Sequence, residues 1–189
     1  LNVGITHGDV NGISYELIIK LLAENRICEL CVPILYGSPK VAAYYRKVLN
    51  IENFSLNMIR EPGEANGKRS NIINCVDDNV KVDLGKETPE SDQATMIALK
   101  YALDQLDRDE IDVLTLAPQG PNAFFTEEAG SLVEYLGKRY NTTDIMSILV
   151  SEKMKMGFVT EQVKLRDVPH QVTQKNIFKK LTLLDDTFR

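Results

Sequence analysis

The chain reads as an α/β protein, a three-layer α/β/α sandwich around a mostly parallel sheet. Three observations predict this. Val3–Thr6, Val32–Tyr36 and Val113–Leu116 are short apolar runs of strand length, each followed by a turn. Longer segments with helical spacing lie between the strand runs, as at Leu17, Ile18, Leu21 and Leu22. Strands alternating with helices require right-handed crossovers, and these place helices on the faces of a parallel sheet.

The elements follow in order. Val3–Thr6 is a strand, and a turn holding Gly8 and Gly12 leads into a helix over Ile13–Asn25. Val32–Tyr36 is a second buried strand, after which Ser38 caps a helix over Lys40–Leu49. Ser55–Arg60 and Ile72–Val76 are expected strands, separated by the loop 62–67. A polar connector over 85–89 precedes a long helix, Gln93–Leu106, with Ser91 or Asp92 as the expected cap. Its Met96, Leu99, Leu103 and Leu106 form an apolar stripe that belongs to the core. Val113–Leu116 is a strand ended by Ala117-Pro118. Glu127–Tyr140 is an expected helix, and Ile145–Val150 and Phe158–Thr160 are expected strands. Thr173 caps a last helix over Gln174–Leu183. Residues 1–117 are expected to form a first lobe, and 118–189 the start of a second.

Composition narrows the function classes. A chain of 189 residues can bury a real core, and 43% hydrophobic with 26% charged residues is ordinary for a globular protein. The formal charge of -5 argues against broad binding to nucleic acid or anionic membrane. Leu1–Thr6 is too short for a signal-peptide core, and no apolar run spans a bilayer, so a cytoplasmic location is expected. Three cysteines do not make a disulfide framework, and the lone Cys28-x-x-Cys31 lacks the partners of a zinc site. Cys31 is expected to enter its strand as a small buried residue.

Parallel sheets of this kind bind ligands beyond the carboxyl ends of their strands. The turns after Thr6, Tyr36 and Leu116 are therefore the candidate ligand loops. In the first of them the glycines permit tight backbone geometry, and the following helix points its positive end at the turn. His7, Asp9, Asn11 and Gly12 are the candidate contacts to an anionic substrate. Each also has a structural reading: Asp9 as a turn former bonding its own downstream amides, and His7 as a packed side chain. Glu16 suits a first helical turn as well as catalysis. Lys68, Arg69, Lys81 and Lys86 could attract phosphate, although scattered basic residues usually mark a solvated face. Asp77-Asp78 reads as a turn, and His170 as a surface or capping residue. Two histidines so far apart assemble neither a metal site nor a Ser/His/Asp triad by spacing.

The run Gly4-Ile5-Thr6-His7-Gly8-Asp9-Val10-Asn11-Gly12-Ile13-Ser14-Tyr15-Glu16 resembles the N-terminal signature of the 4-hydroxythreonine-4-phosphate dehydrogenase (PdxA) family, Ile-Thr-x-Gly-Asp-x-x-Gly-Ile-Gly-x-Glu. Further agreement comes from Tyr36-Gly37-Ser38, Asn71-Ile72-Ile73-Asn74-Cys75 and Ile111-Asp112-Val113-Leu114. Ala117-Pro118, Thr126-Glu127 and Lys175-Asn176-Ile177 extend it along the chain. The resemblance favours this enzyme of vitamin B6 (pyridoxine) synthesis over other isocitrate or isopropylmalate dehydrogenase-like proteins and phosphate acyltransferase relatives.

What the resemblance implies is an oxidoreductase. NAD oxidises a secondary alcohol of a small phosphorylated substrate, a divalent metal (Zn, Mg or Co) polarises the oxygen, and decarboxylation follows. The implied fold is isocitrate/isopropylmalate dehydrogenase-like, with the site in a cleft between two lobes of a homodimer. It carries Thr126 over as a substrate contact, and Gln162 stands where the family has its first metal-binding histidine. The departures are specific. Leu116 and Pro121 replace the family's Thr and Lys, Phe125 stands before Thr126 in place of a histidine, and the connection from Pro118 to Thr126 is short. Gln162 is a poor zinc ligand beside imidazole, so the metal is expected to be lost or weakened. The family's C-terminal part, with two more histidine ligands, has no counterpart in these residues. An exposed apolar face is therefore expected where that part would dock. The departures also support an alternative: an inactive paralogue, fragment or redesigned domain that keeps only an anion-binding turn.

Overall fold

The computed structural model describes residues 1–24, 26–77, 80–120, 122–123, 130–160 and 163–188. The chain divides into two compact units, Leu1–Thr126 and Glu127–Arg189.

The first unit is built on a five-stranded sheet. Its strands are β1 (Asn2–Thr6), β2 (Val32–Gly37), β3 (Asn57–Ile59), β4 (Asn71–Asn74) and β5 (Val113–Leu116), in spatial order β3-β4-β2-β1-β5. Every pairing is parallel. The register sets Thr6 beside Tyr36 on one side and Leu116 on the other, so three strands end level.

Alternation along the strands builds the layers. Leu35 and Ile72 face one core, packed with Tyr15, Ile18, Ile19 and Leu22 of α1 (Ser14–Ala23) and Val41, Ala42 and Tyr45 of α3 (Pro39–Val48). Ile34, Tyr36 and Ile73 face the opposite core, against Ala94, Ala98 and Ala102 of α4 (Pro89–Leu106). The small alanines let α4 lie close to the sheet. Helices thus cover both faces, as the alternating pattern predicts.

Element boundaries differ from expectation for local reasons. The long helix starts at Pro89, four residues early, and its cap is Thr88, whose Oγ1 accepts the Ser91 amide at 3.2 Å. Proline suits the first helical position, where its missing N–H removes nothing. Neither Ser91 nor Asp92 caps this helix. Ser38 does cap α3, accepting the Val41 amide. The expected strands 55–60 and 72–76 shorten to β3 and β4. A four-residue helix absent from the reading, α2 (Ile27–Leu30), precedes β2, and half-buried Cys31 ends it rather than entering the strand. Asn71 is fully buried in β4 because its side chain is satisfied. It accepts from Asn57 Nδ2 and the Asn66 amide and donates to the Pro33, Asn66 and Arg69 carbonyls.

The second unit holds α5 (Leu132–Arg139), capped by Ser131, and an antiparallel pair, β6 (Ile148–Val150) and β7 (Lys155–Gly157). The short α6 (Val168–Gln171) and α7 (Gln174–Phe188) follow. Thr173 Oγ1 accepts the Asn176 amide at the start of α7. The expected strand at 158–160 lies instead at β7, and α7 runs five residues past Leu183. Leu149, Val150, Phe178 and Leu181 are all more than half exposed, and α7 has no buried residue. Among the described residues no helix is long and apolar enough to cross a membrane.

Candidate functional site

The carboxyl edge of the first unit is where its loops converge. The strand order reverses there: β1 connects toward β2, while β5 pairs on β1's other side. The ladder continues past the strands, with the His7 amide donating to the Tyr36 carbonyl at 3.1 Å and the Ala117 amide to the Thr6 carbonyl at 3.3 Å.

The turn over residues 7–13 is held by all of its neighbours. The Asp9 amide donates to the Pro118 carbonyl at 3.0 Å, and Ser14 Oγ donates to the same oxygen. Gly8 sits at φ +64, and a Cβ there would lie 2.2 Å from Pro118 O. Only glycine fits both the backbone and the space. Thr95 Oγ1 of α4 donates to the Gly8 carbonyl at 2.8 Å. Tyr45 Oη of α3 donates to the Val10 carbonyl at 2.8 Å.

His7 lies beneath the turn, fully buried. Its ring stacks on Tyr15, which stacks on Tyr45, with 5.5 Å between centroids at each step. Nε2 is 3.2 Å from the Ala94 carbonyl, which can only accept, so this nitrogen carries the proton. Burial pulls the imidazole pKa down to about 4, and the ring is neutral at physiological pH. His7 Nδ1 and the neighbouring Thr6 Oγ1 have no hydrogen-bond partner among the described residues.

Asn11 is a latch. Its Nδ2 donates to the Lys86 carbonyl at 3.0 Å and to Thr88 Oγ1 at 3.1 Å. Its Oδ1 accepts the Asp83 amide at 2.8 Å, and its carbonyl accepts the Gly85 amide at 2.9 Å. Asn11 thus ties the connector ahead of α4 at four points, while Val80 and Val82 pack against the core.

Asp9 Oδ1 accepts from the Asn11 amide at 2.9 Å and from Ser91 Oγ at 2.6 Å. Its Oδ2 lies 2.9 Å from where a Cβ on Gly12 would stand. Burial first, then the Asp9 and Glu87 carboxylates, push the Asp92 carboxyl above its ordinary range. Gly12 is half-buried, and its amide donates to the Asp9 carbonyl. The amides of His7, Asp9, Asn11 and Gly12 are therefore all taken by protein acceptors. An anion at this turn must use other donors.

The structure brings His7, Asp9, Asn11 and Gly12 together, as the sequence reading expects. The side chains of His7, Asp9 and Asn11 are bonded within the protein. Thr126, Glu127, Pro121, Phe125 and Gln162 lie outside the described residues. Glu16 is engaged by Lys20 on the exposed side of α1. Lys68, Arg69, Lys81 and Lys86 are exposed, Lys86 pairing with Asp83 and Arg69 bonding Ser55. His170 is exposed on α6. Cys75, just past β4, is pushed up to about 12 by burial and stays a thiol. Ser14, Tyr45 and Thr95 have no functional reading in the sequence, and Ser91 has one only as a helix cap. Ser14 alone carried a signal, since it stands where the family signature has Gly.

A resident metal of the kind the resemblance implies finds no donor set here. Among the described residues no three His, Cys, Asp or Glu side chains are grouped to hold one.

Comparison with known proteins gives a family model, "Pyridoxal phosphate biosynthetic protein PdxA", matching residues 29–189. A 4-hydroxythreonine-4-phosphate dehydrogenase of Bacteroides thetaiotaomicron is 36% identical over 187 residues, covering 97% of this chain and 51% of that protein. One from Aquifex aeolicus is 29% identical over 191 residues, covering 98% of this chain and 57% of the other. The chain thus spans about half the length of the curated relatives it matches. A crystal structure of 4-hydroxythreonine-4-phosphate dehydrogenase from Klebsiella pneumoniae superposes with a TM-score of 0.84 at 22% identity, over 97% of this chain and 57% of that one. This likeness establishes the shared fold.

Proposed function

The chain belongs to the PdxA family of pyridoxal phosphate biosynthetic proteins, and from that premise we propose that it forms the N-terminal half of an NAD-dependent 4-hydroxythreonine-4-phosphate dehydrogenase. The first compact unit, Leu1–Thr126, is proposed as the first lobe, and Glu127–Arg189 as the opening of the second. The observation that carries this reading is the 36% identity, over nearly the whole chain, to a protein of that name.

In this reading NAD, when bound, would supply the acceptor for the hydride of the substrate alcohol, with decarboxylation of the keto acid to follow. The described residues contribute position. The turn over residues 7–13, locked by Pro118, Ser91, Thr95 and Tyr45, is a fixed wall at the carboxyl edge of the sheet. Rigid walls of this kind hold a substrate in reacting geometry at little entropic cost during the reaction. His7, neutral and buried, supports the wall from below. Asp9 and Gly12 are half-buried on it, and Thr126 is proposed as a contact to the phosphorylated substrate. Metal assistance draws its donors from outside the described residues. The family's homodimeric, cytoplasmic setting is proposed with the activity.

The test joins residues 1–189 to the remaining half of the Bacteroides thetaiotaomicron relative. NADH is followed after adding 4-hydroxythreonine-4-phosphate, NAD and a divalent metal. The reading expects NADH to form. A folded fusion without turnover overturns it.

The second reading, an inactive relative, is favoured by one feature of the site: protein acceptors occupy the amides of His7, Asp9, Asn11 and Gly12, which an anion at the turn could otherwise use. NAD reduction by this chain without the other half would remove it.

A further inference from the structure

A cavity of about 190 Å³ opens between α3 and the β3 edge of the sheet. Its origin is geometric. The parallel register sets Met58 beside Ile72, so both side chains stand on the face that carries α3. Ile72 is buried there, whereas Met58 on the edge strand is left 68% exposed. With Ala42, Phe54 and Leu56 these residues give the cavity apolar walls. Its polar lining is Arg46 and Ser55. Arg46, in the last turn of α3, is half-buried, and its Nη1 donates to the Phe54 carbonyl at 2.8 Å. That carbonyl belongs to the peptide joining Phe54 to Ser55, so the guanidinium stands beside Ser55. Arg69 Nη2 donates to Ser55 Oγ at 3.0 Å. Two guanidinium groups therefore meet at one serine. Among the described residues neither is ion-paired, and no carboxylate lines the cavity.

We infer that this cavity binds a small organic acid, a carboxylate carried on a short apolar body. Two like charges drawn to one serine repel, and an anion between them relieves that repulsion. Arg46 Nε and Nη2 have no partner among the described residues, and they form the planar fork that matches a carboxylate. Ser55 Oγ accepts from Arg69, so its own hydrogen is left to donate to the ligand. The apolar body removes water from Met58. The volume keeps that body short, since drug-sized sites begin at about 300 Å³. A bare phosphate meets the charges and gains nothing from the walls. None of the lining residues belongs to the turn over residues 7–13, so the inference does not rest on the dehydrogenase reading.

The probe is 4-methylpentanoate. Its controls are 4-methylpentanamide, the uncharged counterpart, and inorganic phosphate, the anion without a body. Each is titrated into the 189-residue chain and followed by amide NMR. The expected result is saturable shifts at Ala42, Ser55 and Leu56 with the acid. The amide, lacking the charge, should bind at least about tenfold more weakly, and so should phosphate, lacking the body. Arg46→Gln should weaken the acid by about tenfold and leave the amide unchanged. Arg69→Gln, a change at an exposed position that leaves the fold intact, should weaken the acid by about threefold. Acid and amide binding equally, phosphate binding as tightly as the acid, either variant without effect on the acid, or no saturable shifts at these residues each overturns the inference.

Discussion

Lowering the pH should destabilise the first unit through His7 alone by a predictable amount. The imidazole titrates near 6.5 when unfolded and near 4 in the native state, because burial disfavours its charged form. The native pKa is the depressed one, so the unfolded chain takes up the proton first as pH falls. Stability from this group is complete above about pH 6.5 and declines down to about pH 4. Over the full window, a shift of about 2.5 units corresponds to about 3 kcal/mol. From pH 7.5 to pH 5 the same linkage gives about 2 kcal/mol. Carboxylates also titrate in this range, so the measurement is a difference. Urea unfolding is followed by the near-ultraviolet signal of the stacked Tyr15 and Tyr45, in the wild type and in His7→Gln. Glutamine keeps a donor for the Ala94 carbonyl and cannot be protonated. The wild type should lose about 2 kcal/mol more than the variant between the two pH values. Parallel pH dependences in the two proteins, or a native imidazole titrating above pH 6 by NMR, would refute the placement of His7.

Other consequences follow from the same contacts. Gly8→Ala puts a Cβ 2.2 Å from the Pro118 carbonyl at a positive φ, and should lower stability by more than about 2 kcal/mol in urea unfolding; a loss under about 0.5 kcal/mol would count against the turn geometry. Asn11→Ala removes three side-chain hydrogen bonds to exposed or half-buried partners that water can replace, so about 2–3 kcal/mol is expected. Hydrogen exchange of the Asp83 and Gly85 amides should accelerate in that variant, and unchanged protection would mean that Asn11 is no latch. In the second unit, Leu149 and Val150 are 62% and 66% exposed, so the chain should bind the dye ANS in its native state. Replacing both with Lys should reduce the fluorescence; an unchanged signal would place the apolar face elsewhere.

Much of the architecture was legible because its signals are local. Buried parallel strands must be short and apolar, which marks β1, β2 and β5 directly. The stripe expected on α4 holds at buried Leu99 and Leu103, whereas Met96 and Leu106 are half-buried, the unremarked Ala94, Ala98 and Ala102 meet the sheet, and the helix start was misread. Thr88-Pro89 is a strong start signal, yet Ser91 and Asp92 are equally plausible caps when only sequence neighbours are considered. Ser91 is drawn off by Asp9, which lies 82 residues away. The second unit was harder to place, since the exposed apolar side chains of β6, β7 and α7 blur the contrast on which amphipathic patterns depend.

The site divides along the same line. Residue order alone establishes that a glycine turn follows the first strand and that His7, Asp9, Asn11 and Gly12 share it, because neighbours in sequence remain neighbours in space. It also contains the family signature. Whether those side chains face a ligand or the protein is decided by partners brought from elsewhere. Asn11 finds its partners 72 to 77 residues away, and His7 finds Ala94 at a separation of 87. Parallel pairing sets β5 beside β1 and lays α4 across the sheet, and only then do Pro118, Ser91 and the connector come within reach. Hydrogen bonds act over about 3 Å, so the crossover topology, which no local pattern encodes, determines what each polar group does.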